Sequence, residues 1–181
     1  MDIETSAVSP AVVRRALPDD APAITAVTNE AYVVEAFFKV DTRRTDEAEI
    51  RVKLESDAFL VVDAPNGRLR GSVYVAVRES RGYLGMLSVA PGSQRGGLGR
   101  ALITAAEDYV RGHGCTAMDL TVVNLREELP AWYEKAGYRV CGEEPWPDAE
   151  PAELTLPVHL IMMTRELAPS PEQVGARSEA E

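Results

Sequence analysis

At 181 residues, with 45% hydrophobic and 27% charged residues, the chain has the make-up of a single globular domain large enough to bury a core. A net charge of −10 argues against nonspecific binding to nucleic acid or to an anionic membrane surface. No apolar run approaches the roughly 20 residues of a membrane span, and the acidic start Met1-Asp2-Ile3-Glu4 lacks a signal-peptide core, so the expected compartment is the cytoplasm.

Residues 1–10 read as a flexible N-terminus, 11–167 as one domain, and 168–181 as a disordered tail of Pro, Ser and Glu with few large apolar groups. Residues 12–16 read as a first strand. Pro18-Asp19-Asp20 opens a helix, with an aspartate able to cap free N–H groups, and Ile24, Val27, Ala31 and Val34 recur on one face. A second helix is expected over 45–55 and a short buried strand over 59–62. Asn66-Gly67 signals a hairpin turn into a third strand, where Val73, Val75 and Val77 alternate with Ser72, Tyr74 and Ala76. Arg81-Gly82 is read as the turn into a fourth strand, 83–89. Three strands joined by short turns make an antiparallel meander.

The pattern then changes. Leu98, Leu102, Ala105, Ala106, Tyr109 and Val110 form a helical stripe ended by Gly112 and Gly114. A fifth strand, 116–123, is expected to run parallel to the fourth, because a whole helix separates them. A short helix over 130–136 stops at Gly137, a sixth strand starts near Tyr138, and an acidic, proline-rich loop over 143–157 leads to a seventh strand, 158–166. Two neighbouring strands that diverge at the parallel pair would leave a crevice for a ligand. Cys115 and Cys141 form no Cys-x-x-Cys pair and read as buried thiols; His113 and His159 lack metal-ligand spacing, so no metal is expected.

Gln94-Arg95-Gly96-Gly97-Leu98-Gly99 leads straight into the helical stripe. A glycine-rich turn at a helix start is an anion cradle: its N–H groups have no internal partner, the helix dipole lies behind them, and no side chain blocks approach. Arg95 and Arg100 add positive charge against an acidic background. The expected ligand carries a pyrophosphate. A P-loop would need Gly-Lys-Ser/Thr where the chain has Gly99-Arg100-Ala101. A dinucleotide fingerprint would need a third glycine where Leu102 stands; Asp119 falls 20 residues past Gly99, but the preceding strands form a meander rather than a βαβ unit.

Leu87-Ser88-Val89-Ala90-Pro91, then Gln94-x-x-Gly97-x-Gly99, then Trp132-Tyr133-Glu134-Lys135-Ala136-Gly137-Tyr138 together resemble the GCN5-related N-acetyltransferases (GNAT) over roughly residues 12–167. The resemblance implies a three-layer α+β fold with flanking helices. Its central sheet has about seven strands, mostly antiparallel with a parallel pair between the fourth and fifth. It also implies acetyl-CoA as cosubstrate and direct transfer of the acetyl group to a primary amine. A small-molecule acceptor is favoured over a protein N-terminus or lysine. A noncatalytic acyl-CoA sensor is the alternative of another class. Homodimers are common among relatives.

By resemblance, the N–H groups of Arg95, Gly96, Gly97, Leu98, Gly99 and Arg100 hold the pyrophosphate, and Gln94 anchors it. Leu87 and Val89 offer backbone groups to the pantetheine arm. Leu87 N–H is also the candidate oxyanion donor, and Tyr133 the candidate acid that protonates the departing thiolate. Asn124 is a candidate coenzyme contact. However, nine residues separate it from Tyr133 where the family has seven, and Arg126 stands at the seven-residue position. The acceptor is expected to meet Glu30, Tyr32, Glu35 and His159, with His159 also readable as a core residue. Trp146 reads equally as a lid or as an exposed loop aromatic. The general base stays open: residues 83–89 contain no acid, and Glu79 precedes them.

Overall fold

A computed structural model of the chain describes residues 11–41, 43–94, 96–147 and 154–168. Arg95 and the two expected terminal tails, apart from Ala168, therefore lie outside the described residues. The order is β1 (Val13–Arg15), α1 (Ala21–Tyr32), α2 (Glu47–Ser56), β2 (Ala58–Asp63), β3 (Leu69–Arg78), β4 (Arg81–Val89), α3 (Leu98–Gly112), β5 (Ala117–Val123), α4 (Glu128–Glu134), β6 (Arg139–Pro145) and β7 (His159–Glu166). Single 3-10 turns, Pro18–Asp20 and Val33–Glu35, flank α1. The strands form one seven-stranded sheet in the order β1-β2-β3-β4-β5-β7-β6. The pair β4–β5 is parallel and all its other neighbours are antiparallel, matching the expected mixed α+β architecture. No helix among the described residues is long and apolar enough to cross a membrane.

The sheet is covered on both faces. Leu98, Leu102, Ile103 and Val110 of α3 pack with Val73, Val75, Leu84 and Met118 on one side. Ile24 and Val27 of α1 and Ile50 of α2 pack with Phe59, Val61 and Tyr74 on the other. This explains why β3 is buried on both sides of its alternation: it is a central strand with a helix on each face. Asp46 caps α2 by accepting from Glu49 N–H at 2.9 Å. Asp20 does not cap α1 with its side chain; it accepts from Leu17 N–H at 2.7 Å and binds the Arg14 guanidinium at 2.7 and 2.9 Å.

Three local readings are corrected. The β3–β4 turn lies at Glu79-Ser80, with Glu79 at φ +54°, and Arg81-Gly82 already belongs to β4. Cys141 is exposed on β6, whereas Cys115 is buried. Finally, β6 continues to Pro145, into the stretch read as loop.

Gly82 lies directly against Val110 of α3. A Cβ there would sit 2.7 Å from Val110 Cγ1 and 2.9 Å from Val110 Cβ. Gly82→Ala is expected to cost about 1–3 kcal/mol by overpacking, read as a lowered midpoint in chemical denaturation. An unchanged midpoint would mean that the α3–β4 spacing is slack.

The site is created where β4 leaves β5. Their parallel ladder runs from Arg81↔Ala117 to Leu84↔Leu120 and stops. Beyond it, β4 pairs Gly85 with Tyr74 but Ser88 with Ser72, so Met86 and Leu87 together oppose Val73. Met86 adopts φ +49°, a conformation side chains rarely take. This bulge bends β4 away from β5 and leaves its last peptide groups without a β5 partner in the ladder.

Candidate active site

The divergence opens a cavity of about 810 Å3 that reaches from the start of α3 to the segment after α1. Of the expected site residues, Leu87, Val89, Gln94, Gly99, Tyr133, Tyr32 and Glu35 line it.

At one end stands the glycine turn. Gly97 precedes α3 with φ +73°, and a Cβ there would meet nothing within 4 Å, so backbone conformation rather than space demands glycine. Ala101 N–H makes the first helical bond, to Gly97 O at 3.0 Å. The N–H groups of Leu98, Gly99 and Arg100 thus precede the helical ladder and remain available to an anion. Gly96 and Gly97 are exposed, while the Leu98 side chain is buried in the core. A Cβ on Gly99 would stand 3.5 Å from the Trp132 ring. The Arg100 guanidinium donates to Lys135 O at 2.8 Å and ties the start of α3 to the end of α4, so its charge is anchored at that junction.

Tyr133 is buried against Trp132 and Tyr138, with ring centroids 4.8 and 5.8 Å away. The end of α4 behind it is fixed by a buried network: Arg165 donates to Ala136 O at 2.8 Å and to Glu107 at 2.8 and 3.0 Å, and Tyr138 donates to Glu107 at 3.1 Å. The Tyr133 hydroxyl makes no hydrogen bond to the described residues. Burial pushes its pKa far above the usual phenol value, so it stays protonated and can donate.

At the other end, Glu35 is 6% exposed. Its carboxylate lies 3.6 Å from Lys39 Nζ and 3.6 Å from the Arg126 guanidinium. Burial is the largest influence on its pKa and raises it, while Lys39, Arg126 and Arg44 pull it down. Tyr32 is likewise raised by burial, and the Arg44 guanidinium lies 5.8 Å from its ring centroid. The residues that follow Glu35 are tied to the segment that precedes β7. Lys39 bridges to Leu154, Thr155 N–H donates to Phe38 O at 3.0 Å, and Thr155 Oγ1 donates to Phe37 O at 3.1 Å. The Lys39 ammonium sits 5.2 Å from the Phe38 and Trp146 ring centroids alike. Trp146 is thereby part of the cavity wall, packed edge-on to Phe38 at 6.3 Å.

The remaining expected residues are placed elsewhere. Glu30 pairs with Arg68 outside the cavity lining. Two residues on a helix turn the chain by roughly 200°, so Glu30 and Tyr32 face opposite ways. Asn124 Oδ1 accepts from His159 N–H at 3.0 Å, and its own N–H donates to His159 O at 3.1 Å. The asparagine thus joins β5 to β7, and Arg126 is the residue that reaches the cavity. His159 is not a core histidine: its side chain is 43% exposed, with Nε2 3.6 Å from Glu143. Glu79 lies at the opposite end of β4 from the bulge.

Tyr83, Lys39 and Arg44 are among the lining residues that the expected site did not include. Tyr83, whose hydroxyl lies 3.1 Å from Thr121 Oγ1, packs with Met86 on the α1 side of the sheet, whereas the bulge turns Leu87 and Val89 to the α3 side, so simple alternation from Leu87 would not have found it. Lys39 and Arg44 sit in a stretch without periodicity, where no sequence signal marks them.

The sequence model of the Acetyltransferase (GNAT) family matches residues 24–138. The mycothiol acetyltransferase of Beutenbergia cavernae is 36% identical over 81 residues, covering 44% of this chain and 27% of that protein, so this chain matches about a quarter of that relative's length. Among solved structures, the ribosomal-protein-S18-alanine N-acetyltransferase of Escherichia coli superposes with a TM-score of 0.70 at 19% identity, covering 90% of this chain and 97% of that one. A GNAT superfamily phosphinothricin acetyltransferase of Sinorhizobium meliloti, in complex with acetyl-CoA, superposes with a TM-score of 0.68 at 16% identity, covering 89% and 94%. Both superpositions establish the shared fold.

Proposed function

This chain belongs to the Acetyltransferase (GNAT) family, and from that premise we propose that it transfers the acetyl group of acetyl-CoA directly to the primary amine of a small molecule. The residues fit the coenzyme. A left-handed glycine opens α3, free helix N–H groups follow it, and beyond Leu84 the side of β4 that faced β5 has no β5 partner along one cavity wall. Residues 96–100 with Gln94 hold the diphosphate, and the β4 backbone at Leu87 and Val89 holds the pantetheine arm. Bound acetyl-CoA supplies the activated acyl group as a thioester.

The chain's own groups then act in order. Leu87 N–H donates to the carbonyl oxygen as negative charge gathers there. Tyr133 O–H gives a proton to the departing sulfur. Neither Cys115 nor Cys141 lines the cavity, which favours direct attack over an acetyl-cysteine intermediate.

One observation carries the reading: a single cavity joins the glycine turn and Tyr133 to Tyr32 and Glu35. Lys39 and Trp146 wall the acceptor end, with Lys39 tied to Leu154, and this supports a small acceptor over an extended polypeptide. Release of free thiol from acetyl-CoA across small primary amines and N-terminal peptides tests both points. We expect turnover with small amines and intersecting initial-rate lines from a ternary complex. Turnover confined to peptides would refute the acceptor class, and parallel lines or a trapped acetyl-enzyme would refute direct transfer.

A further inference from the structure

No acid stands on β4 from Tyr83 to Val89, and Glu79 is at the wrong end of that strand. An acceptor amine arrives largely as its ammonium, which has no lone pair to attack with, so its proton must go somewhere. Among the described residues, three carboxylates line the cavity. Glu128 is exposed and accepts from Arg126 at 2.7 Å. Glu144 lies toward the end of the outer strand β6. Glu35 is the buried one.

The groups facing Glu35 come from every element around it. Lys39 belongs to its own segment, Arg44 to the approach to α2, and Arg126 to the β5–α4 connection. Tyr32 of α1 is close enough for the Glu35 charge to raise its pKa. Tyr83 of β4 and Arg126 act electrostatically on both Tyr32 and Tyr133. Glu35 and Tyr133 border one chamber, which Arg126, Tyr32 and Tyr83 also line.

We propose that Glu35 is the general base of the transfer, taking the proton from the acceptor ammonium. This rests on the acetyltransferase reading. The ammonium gives one proton to a Glu35 carboxylate oxygen, and the freed lone pair forms the C–N bond at the thioester carbonyl. The C–S bond breaks, and the sulfur takes the Tyr133 hydroxyl proton. The new amide nitrogen sheds its extra proton, which restores Tyr133. Glu35 returns its own proton to water, so each turnover releases one proton overall. Burial strengthens the carboxylate as a base, while Lys39 and Arg126 keep it from holding its proton permanently.

The test compares wild type with Glu35→Gln on a series from strongly basic alkylamines to weakly basic aminoacetonitrile, following thiol release from acetyl-CoA. At neutral pH the variant should lose about 100-fold or more in kcat/KM on alkylamines. The deficit should shrink as pH approaches the amine's own pKa and should nearly vanish for aminoacetonitrile, which needs no base. Calorimetry should show acetyl-CoA affinity unchanged, which certifies the fold. Arg126→Gln supplies an independent readout in a chain that keeps the carboxylate. Removing a neighbouring cation raises a carboxylate pKa, so the acid limb of kcat/KM should move to higher pH. An equal loss on all amines, or full activity of Glu35→Gln on alkylamines, would overturn the assignment, as would an unmoved limb in Arg126→Gln. A wild-type protein that binds acetyl-CoA but releases no thiol with any amine would overturn the transferase reading itself, and this role with it.

Discussion

Tyr133→Phe is expected to lower turnover by about 10²–10⁴-fold when the chemical step limits the rate, with little change in stability or acetyl-CoA affinity. The ring of Tyr133 packs edge-on to Trp132 and Tyr138, and phenylalanine keeps that packing. Its hydroxyl makes no hydrogen bond to the described residues, so its removal strands no protein partner. What is lost is a proton donor that burial holds in its neutral form at the cavity wall. Because the phenol pKa lies far above the ordinary value, Tyr133 adds no limb to the pH profile through the neutral range. The acid limb belongs to a carboxylate. Single-turnover measurements of thiol release separate this step from product release. A phenylalanine variant with wild-type single-turnover rates would remove Tyr133 from the chemistry.

Gly97→Val is expected to weaken acetyl-CoA binding by about 100-fold, close to 2.7 kcal/mol. The penalty is conformational. At φ +73° a side chain pays roughly 1–2 kcal/mol, and a β-branched residue leaves the left-handed region altogether. Nothing lies within 4 Å of the added Cβ, so steric crowding inside the free protein is not the cause. A turn forced out of that conformation re-aims the N–H groups of Leu98 and Gly99, and the anion loses its cradle. Gly97→Asn is the control, because asparagine tolerates left-handed backbone; it should keep most of the affinity. Calorimetric titration with acetyl-CoA reads both variants. Near-native affinity in the valine variant would place the diphosphate elsewhere.

The legibility of the site divides along physical lines. The glycine turn was visible because its requirement is local: a positive φ and a free helix start are written into adjacent residues. The parallel pair was visible because a whole helix must intervene between its strands. The acceptor end was visible only in part. Glu30 and Glu35 looked equivalent as carboxylates near the first helix, yet helical rotation sends Glu30 outward to Arg68, while the 3-10 turn carries Glu35 inward. Asn124 and Arg126 looked like rivals for one contact. Pairing with β7 takes the Asn124 amide, and β7 itself lies beside β5 only because the chain passes β6 first and returns between the two. His159 was misread for a related reason. The apolar company of Ile161 and Met163 suggested burial, but His159 opens β7 at the mouth of the sheet, where its ring is half exposed.

The amino-acid sequence by itself determined the identity and order of the helices and strands, the parallel junction and the glycine turn before α3, because each depends on periodicity, turn chemistry or helix capping within a few neighbouring residues. Only the tertiary structure decided the insertion of β7 between β5 and β6, the bulge that opens β4, and the meeting of Glu35, Arg126 and Tyr133 around one cavity. Those features arise from contacts between segments far apart in the chain. No local pattern encodes the distance or burial that makes one carboxylate a base and another a surface ion pair.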